Sequence, residues 1–271
     1  MSRTHLPLAG RRVLVTRPRA QSRLLCERLR TLGARAIAAP TIRIVGPRAG
    51  GLLDRALRRL DHYDWVITTS VNGVRACLDR AKALRIDLAS ARPRWAAVGP
   101  ATARALRAAG IRVAMVPSRY LTAALGRELR GIARRRVLLP RTDAATPDLA
   151  RVLRTRGAVV DQVTAYHTAP ASARDGARVR RLIGAGRIDT VLFTSASTVR
   201  GLATLLGRRG ALRNLSIACI GPVTAAAAVD AGLRPDAIAT EHTIEGLIQV
   251  LLKMNGHGSK GGSYGAHGAS R

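Results

Sequence analysis

Six places in this chain end a run of β-forming residues with small, polar or basic groups: Thr16-Arg17, Thr69-Ser70-Val71-Asn72, Gly99-Pro100-Ala101-Thr102, Arg141-Thr142, Thr194-Ser195-Ala196-Ser197 and Gly221-Pro222-Val223-Thr224. Helix-compatible segments follow them. A helix start leaves backbone N–H groups unsatisfied and carries the positive end of the helix dipole, so hydroxyls and glycines there make an anion cradle. The binding candidates are therefore Arg17, Thr69, Ser70, Asn72, Gly99, Thr102, Arg141, Thr194, Ser195, Ser197, Gly221 and Thr224. Taken singly, Ser70, Thr102, Ser197 and Thr224 read first as ordinary helix caps and first-turn residues. One side chain of another kind joins the set. Tyr166, in the extended run 163–168, carries a phenol able to donate a proton or hydrogen bond to a leaving group, although a half-buried strand tyrosine needs no such role.

The groups that are missing narrow the chemistry further. There is no G-x-G-x-x-G, no H-E-x-x-H and no Walker loop, the only lysines being Lys82, Lys253 and Lys260. No two histidines before the tail have metal-ligand spacing, and the acids are scattered rather than paired. Asp64 and Asp189 precede strands and are expected to cap or pair at strand amino ends. A cofactor-free enzyme or a binding protein, without a metal site, fits this inventory.

The elements that position these residues come in two sets. Arg11-Arg-Val-Leu-Val-Thr-Arg-Pro18 matches Arg135-Arg-Val-Leu-Leu-Pro-Arg-Thr142, and Gly33-Ala34 matches Gly157-Ala158, both at an offset of 124. Asp64-Trp-Val-Ile-Thr-Thr-Ser70 matches Asp189-Thr-Val-Leu-Phe-Thr-Ser195 at 125, and Val98-Gly-Pro-Ala-Thr-Ala103 matches Ile220-Gly-Pro-Val-Thr-Ala225 at 122. Four blocks in one order at nearly one spacing imply an internal duplication, with a period far too long for a solenoid.

Short β-branched runs alternate with helical patterns throughout, which predicts parallel sheets with helices on both faces. Ligands then collect outside the carboxyl ends of the strands, where the polar sets lie. The first helix is expected to bury Leu24, Leu25, the stem of Arg28, Leu29 and Leu32. The run 36–45 contains Pro40, which makes it an edge strand or a connection between domains. Two layouts remain open on the pattern alone. Either two consecutive halves divide near Ala133, or the chain crosses between domains in the equivalent runs 36–45 and 159–169. Residues 255–271, rich in Gly, Ser and His, are expected to be a disordered tail.

Composition sets the outer bounds. A chain of 271 residues, 47% hydrophobic, is long enough for two cored domains. The formal net charge of +30 points to polyanionic partners or simply to arginine-rich solvated helix faces. Aromatics at 3% are too few for the stacking platforms of a single-strand binder. Cys26, Cys77 and Cys219 are widely spaced within apolar patterns, which argues for a reducing compartment. With no signal-like or membrane-length apolar run, a cytoplasmic location with no membrane contact is expected.

Taken together, these motifs resemble one family. Val13-Leu-Val-Thr-Arg-Pro18, Gly33-Ala34 with Pro40, Asp64 to Val74, Val98 to Ala103, Val137-Leu-Leu-Pro-Arg141, Tyr166-His-Thr168, Phe193 to Val199 and Ile220 to Ala225 look like uroporphyrinogen-III synthase, over residues 11–252. The resemblance implies two similar parallel-sheet α/β domains joined by a two-stranded linker, with a cleft between them. It places residues 1–40 with 168–254 in one domain and 41–167 in the other. It also implies the reaction. Linear hydroxymethylbilane loses its hydroxyl as water and closes through a spiro intermediate with ring D inverted, without a cofactor. A tyrosine matching Tyr166 is the implied catalytic acid. The substrate bears eight carboxylates, a task for Arg17, Arg141 and the helix N-termini. A monomer is expected, with transient contact to the upstream bilane-forming enzyme and no nucleic acid. Thr142-Asp143 departs from the family, in which many members have Gly after the Arg, and the +30 charge is left unexplained. The alternative is a catalytically inactive homologue that binds a tetrapyrrole or nucleic acid as a regulator.

Overall fold

The computed structural model describes residues 6–119, 122–207 and 215–257. It resolves into two compact units, divided where the chain passes from Arg43 to Ile44 and from Ala169 to Pro170.

The discontinuous unit carries β1 (Arg12–Val15), α1 (Arg19–Thr31), β2 (Arg35–Ala38), α7 (Ala173–Gly184), β9 (Thr190–Phe193), α8 (Ala196–Leu206), β10 (Ser216–Cys219), α9 (Pro222–Asp230), β11 (Ala237–Ile238) and α10 (Ile244–His257). Its five-stranded sheet has the order β11-β10-β9-β1-β2, and each of these pairings is parallel. The chain crosses to the continuous unit along β3 (Ile42–Val45). That unit carries α2 (Leu52–Arg58), β4 (Trp65–Thr68), α3 (Val71–Leu84), β5 (Arg94–Ala97), α4 (Pro100–Ala108), β6 (Val113–Met115), α5 (Thr122–Glu128), β7 (Arg136–Thr142), α6 (Asp148–Thr155) and most of β8 (Val159–Pro170). Its six-stranded sheet has the order β3-β8-β7-β4-β5-β6. Read from the other end, β6-β5-β4-β7-β8 runs in the same manner as β11-β10-β9-β1-β2.

Both faces of each sheet are covered, so the central strands are apolar throughout, as Val191, Leu192 and Phe193 show at no exposure. In the continuous unit, Val66, Trp95 and Leu138 pack with Val74, Cys77 and Leu106 from α3 and α4. On the other face Ile67, Ala96 and Leu139 pack with Leu125 of α5 and with Leu149 and Leu153 of α6. The discontinuous unit divides likewise into one cluster with α7, α8 and α9 and another with α1 and α10.

The expectations for α1 and the tail need correction, whereas the run 36–45 is, as expected, edge strand and connection, in two pieces. β2 and β3 belong to different sheets, and Pro40, which cannot donate to a ladder, lies between them. In α1 the buried stripe is Ser22, Leu25, Cys26 and Leu29. Leu24 is 58% exposed and Arg28 is exposed, because the face that meets the sheet is turned by one position. The last helix continues three residues past Met254, to His257, while the rest of the expected tail lies outside the described residues.

Candidate active site

Strand amino ends are tied by carboxylates. Asp189 accepts the backbone N–H of Arg12 at 2.8 Å and also pairs with the Arg12 guanidinium. Asp64 accepts the backbone N–H of Arg136 at 2.9 Å and an Arg135 guanidinium N–H at 3.0 Å. The Arg12 hydrogen bond holds the Asp189 carboxyl below its usual range. These pairs fix neighbouring strands at one edge of each sheet and leave the polar sets at the opposite edge, where the helices begin.

In the continuous unit that edge brings four of the expected residues into direct linkage or close succession. Ser70 caps α3, its Oγ accepting the Gly73 N–H at 3.1 Å. The same oxygen shares a 3.0 Å hydrogen bond with the hydroxyl of Tyr166, in which either can donate. Gly73 is needed close by, because a Cβ there would stand 3.3 Å from the Pro140 carbonyl oxygen and 3.5 Å from Ser70 Oγ.

Tyr166 reaches Ser70 through an irregularity in β8. Arg141 opposes Thr164, but Thr142 opposes Tyr166, so Ala165 is an extra residue on the β8 side. Strict alternation would put Ala165 and Tyr166 on opposite faces. With the bulge both enter the cluster formed with α3, which is how a bulge re-aims a side chain. Tyr166 is 7% exposed, whereas Ser70 is only half-buried.

Arg141 is the penultimate residue of β7 and is 6% exposed. One Nη donates to the Thr146 carbonyl at 2.8 Å, while Nε is buried with no hydrogen-bond partner among the described residues. Burial makes its charged form less favourable than usual, against which the nearby Tyr166 and Asp148 act in the other direction. A buried guanidinium with an unused N–H is a strong recogniser for an oxyanion. Beyond it, Asp143 and His167 Nδ1 are paired at 2.8 Å, and this bond draws the Asp143 carboxyl below its usual range. Neither was a candidate site residue on the sequence, where Asp143 marked only the departure after Arg141 and His167 only the motif Tyr166-His-Thr168. Their neighbours Thr142 and Tyr166 were the available signal.

Thr69 and Asn72 flank Ser70 at the start of α3, both half-buried. Gly99 caps α4 with Pro100 at its first position, and Thr102 is buried at 5% exposure inside the first turn.

The discontinuous unit holds the corresponding groups. Ser195 caps α8, accepting the Thr198 N–H at 3.3 Å, and its Oγ lies 2.9 Å from Ser197 Oγ. Thr194 is half-buried beside it. Arg17 follows β1 and donates to Gln21 Oε1 at 3.3 Å. Gly221 caps α9, where a Cβ would fall 2.8 Å from the His242 ring, so only glycine admits that ring. Thr224 is buried at 4% exposure. Among these candidates the side-chain caps are therefore Ser70 and Ser195. Ser197, Thr102 and Thr224 lie within the first turns of their helices.

The chain has recognisable relatives. The family model described as uroporphyrinogen-III synthase HemD matches residues 24–249. A protein of Ruminiclostridium josui described as porphyrin biosynthesis protein HemD is 33% identical over 257 residues, covering 92% of this chain and 50% of that protein, so the chain spans half of its length. A uroporphyrinogen-III synthase of Synechococcus elongatus is 29% identical over 254 residues, covering 90% of this chain and 96% of the relative. Among solved structures, a mutant uroporphyrinogen III synthase of the extremely thermophilic bacterium Thermus thermophilus shares the fold with a TM-score of 0.65 at 23% identity, covering 92% of this chain and all of that one.

Proposed function

The chain belongs to the uroporphyrinogen-III synthase family, enzymes of porphyrin biosynthesis, and from that premise we propose that it converts hydroxymethylbilane to the type III macrocycle with loss of water. The bond between Ser70 and Tyr166 at 3.0 Å is the observation that carries this reading. A buried phenol held against a more exposed hydroxyl at a helix N-terminus is a proton donor with a defined exit.

The Tyr166 proton goes to the leaving hydroxyl, directly or through Ser70, as the C–O bond breaks and water departs. The phenolate left behind lies near the Arg141 guanidinium, whose positive charge offsets it. The cationic terminal pyrrole is then attacked by ring D to give the spiro intermediate. Rearrangement closes the ring, and the proton released on restoring aromaticity returns to Tyr166. One carbon–oxygen bond breaks, carbon–carbon bonds form and rearrange, and a proton moves out and back with no net change of oxidation state, so no redox group is required. The Nε of Arg141 and the N–H groups that start α3 and α4 are offered to substrate carboxylates, and Ser195, Gly221 and Arg17 are assigned the same task in their own unit.

No helix among the described residues is long and apolar enough to cross a membrane. Burial pushes the thiols of Cys77 and Cys219 up to about 12 and about 11, and all three cysteines are free. These inert thiols support a reducing, cytoplasmic setting. A monomer that meets the bilane-forming enzyme only in passing completes the reading.

The test is Tyr166→Phe. General-acid catalysis is worth roughly 10²–10⁴-fold, so turnover should fall by that order while binding of the macrocyclic product changes by less than about threefold. Equal losses in turnover and product binding would remove the acid role.

A further inference from the structure

The edge of the continuous unit opposite Ser70 and Tyr166, where β5 and β6 begin, holds a cavity of about 500 Å³ lined by residues 89, 91–95 and 111–114. Small-molecule sites are commonly of this size. Three of the lining residues are arginines, Arg92, Arg94 and Arg112, and none is a carboxylate. The guanidinium of Arg94 lies 4.4 Å over the Trp65 ring. Arg92 donates one N–H to the Asp61 carbonyl at 3.2 Å and has others to offer. Arg112 is exposed.

A second observation comes from beneath the surface. Trp95 lines the same cavity at 2% exposure, and its indole N–H has no hydrogen-bond partner among the described residues. A buried donor left unsatisfied is costly, and an acceptor brought by a ligand removes that cost. Two other cavities lack this combination: one lined by Arg11 and Lys253 includes Asp236, and a smaller one of about 220 Å³, although lined by Arg35, Arg181 and Arg187, has no unpartnered buried donor among the described residues.

We propose that this cavity is an accessory site for a compact multivalent oxyanion, held by the Arg92 and Arg112 guanidinium groups with the Trp95 indole N–H as a third donor. A polyphosphate and a polycarboxylate share this chemistry. The site stands at the amino ends of the strands and is independent of the reaction proposed above.

The molecule supplies its own probe, because Trp65 and Trp95 are the two tryptophans of the chain and both stand at this edge. The full-length protein is titrated at constant ionic strength with pyrophosphate and, separately, with citrate. A saturable change in tryptophan emission is expected. Response to pyrophosphate identifies a phosphate ligand, and response to citrate alone a carboxylate one. The double variant Arg92→Ala with Arg112→Ala should weaken the effective anion about tenfold or more. Arg174→Ala, an exposed arginine of the other unit, should bind as wild type does, and both variants should retain synthase turnover. Trp95→Phe, followed by calorimetry, should also bind more weakly; if that variant fails to fold, the surface arginine variant carries the test. Absence of a saturable response to both anions would overturn the proposal, as would unchanged affinity in the double arginine variant.

Discussion

Ser70 serves two purposes at one atom. It caps α3 through the Gly73 N–H and steadies the phenol of Tyr166. Ser70→Ala should therefore cost about 1–2 kcal/mol in urea unfolding, more than a simple surface change, and should also lower turnover. Ser70→Thr, which keeps the hydroxyl, should restore most of both. If alanine lowered stability but left turnover unchanged, Ser70 would be a cap alone. Arg141 predicts the opposite balance. Its burial and unused Nε burden the folded state, so Arg141→Met should leave the thermal midpoint unchanged or higher while raising KM. A clear fall in the midpoint would show that the bond to the Thr146 carbonyl holds the loop instead. Both residues were legible as strand-end groups, since hydroxyls and cations at the carboxyl end of parallel strands suggest anion binding. The linkage of Ser70 to Tyr166 was not legible. It depends on Ala165 being the extra residue between β7 and β8, and a one-residue bulge leaves no mark in a run such as Val163-Thr-Ala-Tyr166.

At the level of elements, alternating β-branched runs and helical periods predicted the parallel strand-helix alternation that both units show. What failed was finer. The stripe of α1 is one position off because Leu24 and Leu25 are chemically alike, and only the packing partner chooses between them. The run 36–45, by contrast, was legible from Pro40 as edge strand or connection, and it supplies an edge strand to each sheet. Packing overrides propensity most sharply at Gly201 in α8. Alanine is the better helix former by about 1 kcal/mol, but a Cβ there would fall 2.6 Å from the Thr41 carbonyl oxygen and from Ile42 Cγ2. Gly201→Ala should thus destabilise by about 1–3 kcal/mol, measured by chemical denaturation. Stabilisation would mean that the helix shifts freely against the segment leaving β2.

Across the whole molecule, the repeated blocks find a structural counterpart in each unit. Asp64 and Asp189 clamp neighbouring strands in the same way, and the strand orders correspond, which supports reading the units as duplicated copies. Some of the arginines are paired with buried or half-buried carboxylates. Asp54 is 1% exposed and accepts from Arg80 at 2.6 and 2.7 Å. Arg80 holds its carboxyl below the usual range, as Arg12 does for Asp189. A depressed folded value contributes stability that is present above the unfolded pKa of about 3.9 and is lost as pH falls through the folded value. Unfolding free energy should therefore drop below about pH 4, and Asp54→Asn should flatten that dependence while lowering stability at neutral pH. An acid limb unchanged in the variant would assign the loss to other carboxylates. The reaction itself is the property that no single residue carries, and the isomer formed reports it most directly. Purified protein given hydroxymethylbilane should yield predominantly the type III macrocycle. Formation of only the type I isomer, which arises spontaneously, would contradict the account.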